Sequence, residues 1–172
     1  ELGGSLHGNN REGLNQFGRQ VVGELERLEI IIDVAHSSPE VVDDVLKIAK
    51  RPVVVSHTGV YGTCQSKRNL SDEQMQRIAA KGGLICIGYW NGAVCDIRPE
   101  GIVKSIRYAI ALVGEDHVAL GSDFDGSTTT AFDTSELSVL TQKMIDYGFS
   151  DNEIKKVMGA NSVRFLSSYL PK

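Results

Sequence analysis

The chain has 172 residues, 41% hydrophobic and 23% charged, a composition ordinary for a globular domain. A formal net charge of −4 leaves no basic surface for nucleic acid, and no apolar run approaches the roughly 20 residues of a membrane-spanning helix. The length suits one core but is short of the roughly 250 residues of a complete (β/α)8 barrel. The first residue is Glu1, not Met, so an internal point of a longer protein is expected, and missing targeting signals carry no weight.

Gly- and Asn-rich residues 1–10 read as loop. From Asn15 to Leu28, Phe17, Val21, Val22, Leu25 and Leu28 form a helical stripe. Ile30 to Ala35 is a β-branched run, hence a strand. Ser38-Pro39-Glu40 opens a helix to about Lys50, with Ser38 as cap and Pro39 in the first turn. Val53 to Ser56 is a second strand, followed by a polar loop to Leu70. Ser71-Asp72-Glu73-Gln74 is a capping-box start for a helix to Ala80. Leu84 to Gly88 is a third strand, and Tyr89 to Arg98 a loop. A helix over Pro99 to Val113 and a strand over Val118 to Gly121 follow. Ser122 to Phe132 is loop, and helices occupy Thr134 to Tyr147, Asp151 to Met158 and Ala160 to Leu170. The strands are continuous apolar runs, so both sheet faces should be covered. The alternation predicts an α/β fold: part of a (β/α)8 TIM-type barrel, about four βα units plus C-terminal helices, with no internal domain boundary.

Polar residues close three of these strands. His36 and His57 end the first two, one βαβ step apart, and Asp123 follows the fourth. Strand C-termini are where such barrels keep their chemistry. Two imidazoles on one rim suit a metal ion, although a strand-end histidine also occurs as a structural residue. Asp123 suits proton transfer or a substrate ammonium, or a turn aspartate binding loop amides. Arg68, in the loop after His57, suits a substrate carboxylate, against the alternative of a solvated loop arginine. Asp125 reads as a turn or supporting residue. Asp33 is expected as a buried mid-strand acid in need of a partner, such as a ligand histidine. His7 is a weaker candidate, and His117 reads as structural. Cys86 is a small buried hydrophobe. Cys64 and Cys95 lie in loops after strands, and spacing alone leaves their pairing open.

Several segments together resemble the membrane dipeptidase family (renal dipeptidase, peptidase family M19). They are Gly13-Leu14-Asn15-Gln16-Phe17-Gly18-Arg19, Ile32-Asp33-Val34-Ala35-His36-Ser37, Val55-Ser56-His57, Arg68-Asn69-Leu70-Ser71-Asp72, Gly121-Ser122-Asp123-Phe124-Asp125-Gly126 and Gly159-Ala160-Asn161-Ser162-Val163-Arg164. Each is unspecific alone, but the ordered set is specific. The resemblance implies a distorted barrel with two zinc ions that hydrolyses dipeptides, a hydrolase and metalloprotease. It makes His36 and His57 ligands of one zinc, Arg68 the receptor of the substrate carboxylate, and Asp123 the acid that assists proton transfer and meets the substrate amine. Cysteines placed like Cys64 and Cys95 form a disulfide in animal members, which favours an extracytoplasmic setting.

The family's ligands of the first zinc, its bridging glutamate and a further substrate-binding histidine have no counterpart here. The whole chain, 1–172, is therefore expected to be the C-terminal half of a metallo-dipeptidase barrel, inactive alone and partnered by the missing N-terminal half. A homodimer, which the parent could form, would not restore those ligands. The rival expectations are a barrel metallohydrolase on other amides or lactones, and a non-catalytic truncated paralogue. Nitrogen and oxygen donors alone would also suit other divalent ions.

Overall fold

A computed structural model describes residues 2–8 and 11–171. Helix α1 (Gln16–Arg27) starts where the Asn15 side chain accepts a hydrogen bond from Gly18 N. Helix α2 (Pro39–Ile48) starts at Ser38, whose hydroxyl accepts from Val41 N, and it buries Val41, Val42, Val45 and Leu46. Strand β1 (Val54–Thr58) leads by a long loop to α3 (Asp72–Ala80), which begins with the expected Ser71–Gln74 capping box. Strand β2 (Leu84–Ile87) is buried throughout. Then come the short α4 (Asn91–Val94), α5 (Pro99–Val113) and β3 (Val118–Leu120). The C-terminal part holds α6 (Ser138–Asp146), α7 (Asp151–Lys155) and α8 (Asn161–Tyr169).

Among the described residues the sheet has three parallel strands in the order β1-β2-β3. Parallel neighbours require crossovers, which α3 and α5 provide. One sheet face carries Val55, Ile85, Ile87 and Val118 into a core with Met75, Ile78, Ile102, Ile106, Leu140 and Met144. Each such side chain contributes about 1.5–3 kcal/mol on full burial. The other face carries Leu84, Cys86 and Ala119 against Phe165 and Tyr169 of α8. Both faces are covered, as the unbroken apolar runs require. Burial pushes the Cys86 thiol up to about 12, so this cysteine packs as an inert hydrophobe.

The Gly159–Arg164 segment is a clamp at the N-terminal end of β3. Gly159, at φ 154°, kinks the chain into α8. Asn161 is buried, and its amide donates to the carbonyls of Val118 (2.9 Å) and Glu115 (2.7 Å). Arg164 donates to Asp116 O at 2.6 Å. His117 bonds Gly83 O at 2.9 Å through Nδ1, a structural role at the sheet end away from His57.

Four βα units were expected, and the first strand differs. Ile30 to Ala35 forms only a parallel bridge at Asp33↔Val54, through Val34 N→Val54 O and Val54 N→Ile32 O, both 3.0 Å. The cause is local. Asp33 Oδ1 accepts from Ala35 N at 2.9 Å, closing an Asx turn. Ser37 N then bonds Val34 O, and His36 turns the chain at φ 62°. Asp33 is also exposed, contrary to the buried acid expected; its Oδ1 takes Ser56 N at 3.1 Å and so pins this segment to β1. Two smaller differences appear. The Tyr89–Arg98 loop contains α4, and the helix expected from Thr134 begins as a 3-10 turn (Thr134–Glu136) before α6.

Candidate functional site

The candidate site lies at the C-terminal end of the parallel strands. His57 is the fourth residue of β1, His36 follows the Asp33 bridge, and Asp123 lies just beyond β3. The two imidazoles meet, with His36 Nε2 and His57 Nε2 2.8 Å apart. Each outward nitrogen has its own partner. His57 Nδ1 lies 2.9 Å from Ser56 Oγ, and His36 Nδ1 lies 3.2 Å from His7 Nε2. Asp123 Oδ1 stands 3.9 Å from His57 Nε2. A cavity of about 420 Å³ opens beside them, lined by Ser56, His57, Leu120, Gly121, Ser122, Asp123 and Asp125.

Two of these residues sit in the left-handed backbone region, His36 at φ 62° and Asp123 at φ 60°. Side chains rarely adopt it, and such residues cluster at functional sites. The turn after Asp123 is closed by Gly126 N→Asp123 O (3.1 Å) and Thr128 Oγ1→Asp123 O (3.0 Å). Gly126 leaves room for the carboxylate, because a Cβ on it would stand 2.5 Å from Asp123 Oδ1 and displace it. Asp125 is exposed on the solvent side of the same cavity.

Arg68 is partly buried beside the histidines, not a solvated loop residue. Its Nη2 donates to His57 O at 2.9 Å, and its guanidinium lies 5.2 Å from the Trp90 ring centroid. Trp90 in turn stands 5.9 Å from the His57 ring. Burial lowers the Arg68 pKa from its usual value, opposed by Asp123 and Asp33. Partial desolvation also lowers that of His36, reinforced first by the Arg68 guanidinium and opposed by Asp123. The lowered pKa of His36 favours its neutral form, the one that binds metal.

The Arg68 loop is fixed at two points. Cys64 and Cys95 are disulfide-bonded, with Cα atoms 5.5 Å apart. Buried Asn69 ties the same two segments, its amide donating to Cys64 O (2.8 Å) and Ala93 O (2.9 Å). The bridge therefore joins the arginine loop to the segment that carries Trp90.

The donors are suitable for zinc, which binds imidazole nitrogen at about 2.0–2.1 Å. Two such nitrogens on one tetrahedral ion stand roughly 3.3 Å apart. The observed 2.8 Å would have to open by a few tenths of an ångström, within reach of ring rotation. The pair supplies only two corners of a site. Among the described residues no group of three or more His, Cys, Asp or Glu side chains is placed to hold a metal.

His36, His57, Arg68 and Asp123 are thus together. Trp90 was missed, although it is the chain's single tryptophan and follows a strand end, the same signal that marked the histidines. His7 also touches the group, through His36. It precedes every strand, and its contact with His36 is tertiary, so spacing carries no trace of it.

A family model described as membrane dipeptidase (peptidase family M19) matches residues 4–169. The chain is 31% identical over 170 residues to dipeptidase verJ of Clonostachys rogersoniana, covering 96% of this chain and 43% of that protein. It is 32% identical over 162 residues to dipeptidase aclJ of Aspergillus oryzae, covering 90% and 38%. The chain therefore spans about two fifths of the length of these curated relatives. A crystal structure of a metallo peptidase from Rhodobacter sphaeroides, liganded with a phosphinate mimic of the dipeptide L-Ala-D-Ala, superposes with a TM-score of 0.86 at 28% identity, covering 91% of this chain and 47% of that one. The probable dipeptidase PvdM from Pseudomonas aeruginosa superposes with a TM-score of 0.80 at 25% identity, covering 89% and 54%. On the match across residues 4–169, this chain belongs to the membrane dipeptidase family, peptidase family M19.

Proposed function

We propose that this chain contributes one zinc-binding histidine pair, a carboxylate receptor and a proton-relay acid to a zinc dipeptidase built on a (β/α)8-type barrel. The carrying observation is the convergence of His36 Nε2 and His57 Nε2 at 2.8 Å, with each Nδ1 engaged elsewhere and Asp123 at 3.9 Å. Zinc, when bound, supplies Lewis acidity, polarising a carbonyl and acidifying water.

The protein's own groups do the rest. Arg68, whose fork is held toward His57 and Trp90, takes the C-terminal carboxylate and so limits substrates to dipeptides. Asp123 holds the free amine or passes a proton to the leaving nitrogen. Trp90 and the Cys64–Cys95 bridge keep Arg68 in place. The remaining metal ligands come from residues outside this sequence, so the chain acts as the C-terminal half of the site and is inactive alone. The Cys64–Cys95 bridge supports an extracytoplasmic setting.

The test is a panel of dipeptides, N-acyl amino acids and lactones. It is offered with zinc to this chain alone and to the longer protein we propose it belongs to. Dipeptidase activity confined to the longer protein, and lost in His57→Ala, is expected. Preference for lactones or N-acyl amino acids would overturn the substrate class. Full activity of the 172-residue chain would overturn the incomplete-site reading.

A further inference from the structure

We infer that His7 is a positioning residue that fixes the tautomer of His36 so that its Nε2 lone pair faces the metal position. This rests on the zinc-site reading above and extends it to a residue outside every strand.

A histidine that binds metal through Nε2 must carry its proton on Nδ1, and that N–H needs an acceptor. His57 has one in Ser56 Oγ, at 2.9 Å. For His36 the group facing Nδ1 is His7 Nε2, at 3.2 Å. His7 Nε2 can accept only if His7 carries its own proton on Nδ1. The three rings then form one ordered series: His7 Nε2 accepts a hydrogen bond from His36 Nδ1–H, and the Nε2 atoms of His36 and His57 face each other at 2.8 Å. Two bare nitrogens at that distance repel unless a cation lies between them. Without metal, one Nε2 must be protonated and donate to the other.

The contact is built into the backbone. Leu6 N donates to His36 O at 3.0 Å, Ser38 N donates to Gly4 O at 3.3 Å, and Ser5 pairs with Ser37 in an antiparallel bridge. These bonds lay the segment before His7 along the His36 turn. His36 itself sits in the left-handed backbone region, at φ 62°. The ring centroids of His7 and His36 are 5.2 Å apart, tilted by 33°, consistent with an edge-on nitrogen contact.

The test compares wild type, His7→Leu, His7→Gln and His57→Ala in the 172-residue chain. One readout is zinc affinity, by competition with a chromophoric chelator. The other is the ¹⁵N shifts of the His36 ring in the metal-free protein. His7→Leu is expected to weaken zinc about 10- to 100-fold and to shift His36 toward the Nε2–H tautomer. His7→Gln, whose amide oxygen can accept the same proton, is expected to recover most of both. Unchanged affinity and tautomer in His7→Leu, with zinc lost in His57→Ala, would overturn the role of His7 and leave the metal site standing. Equal zinc binding in wild type and His57→Ala would overturn both. A loss in His7→Leu that His7→Gln fails to recover in either readout would also overturn the acceptor role.

Discussion

Replacing Cys95 by serine opens a loop whose ends are 31 residues apart in sequence. In the chain-entropy account, cross-linking a loop of that length removes about 3.7 kcal/mol of unfolded-state entropy at 25 °C. Little else should change in the folded state. Cys95 is exposed, Cys64 is 2% exposed and would remain as a small buried thiol, and Asn69 still ties the same two segments. The cost therefore falls on stability: about 3–4 kcal/mol, or roughly 10 °C in Tm for a chain of this size. Urea unfolding with and without reductant measures it. Oxidised wild type should have the high midpoint, while reduced wild type and Cys95→Ser should share a lower one, with a slope at least as steep because the uncross-linked unfolded chain exposes more surface. Equal midpoints for oxidised wild type and Cys95→Ser would refute the reasoning, and so would a further drop of Cys95→Ser under reductant.

Arg68→Ala in the active protein should raise KM for dipeptides about 10- to 100-fold, the worth of a charge-assisted pair; steady-state kinetics checks it, and unchanged KM removes the carboxylate role. Arg68→Lys should not restore KM, because an ammonium lacks the fork that reaches both His57 O and Trp90. Gly126→Ala should destabilise by about 1–3 kcal/mol and displace the Asp123 carboxylate. Gly23→Ala, on an open face of α1 with nothing within 4 Å, should stabilise by about 0.5–1 kcal/mol; thermal melts of the pair test the contrast. Asp96 accepts from Arg98 N, Nε and Nη2, which holds its carboxyl at about 2 instead of 3.8. Its contribution to stability is complete above 3.8 and lost as pH falls toward 2, so an NMR titration giving an ordinary Asp96 value would contradict the pairing.

The helices were legible because their signals are local. Asn15, Ser38 and Ser71 cap as their residue types dictate. Pro99 opens α5, which ends at Val113, before Gly114 at φ 86°. The strands β1 to β3 were legible as apolar runs within a residue or two. The run Ile30 to Ala35 was not, because Asp33 uses its carboxylate on Ala35 N and turns the chain after one bridge. Composition marks a β-branched segment without showing that an acid inside it will form an Asx turn. In the site, the strand-end rule brought His36, His57 and Asp123 forward together, since parallel strands share one polarity. It could not show that Arg68 is held by Trp90, that Asp33 bonds Ser56 N and not a histidine, or that His7 reaches His36. Those contacts depend on how loops fold back over the sheet end. Two sets of the family-motif residues lie at opposite ends of the sheet. Arg68, His36, His57 and Asp123 gather at one end of the sheet, whereas Gly159–Arg164 binds the far end of β3.

The most direct measurement is anomalous diffraction at the zinc edge from zinc-soaked crystals of this chain. The account predicts a peak about 2.0–2.1 Å from the Nε2 atoms of both His36 and His57, beside the Asp123 carboxylate. A peak bound through either Nδ1, or zinc held away from this pair, would contradict it.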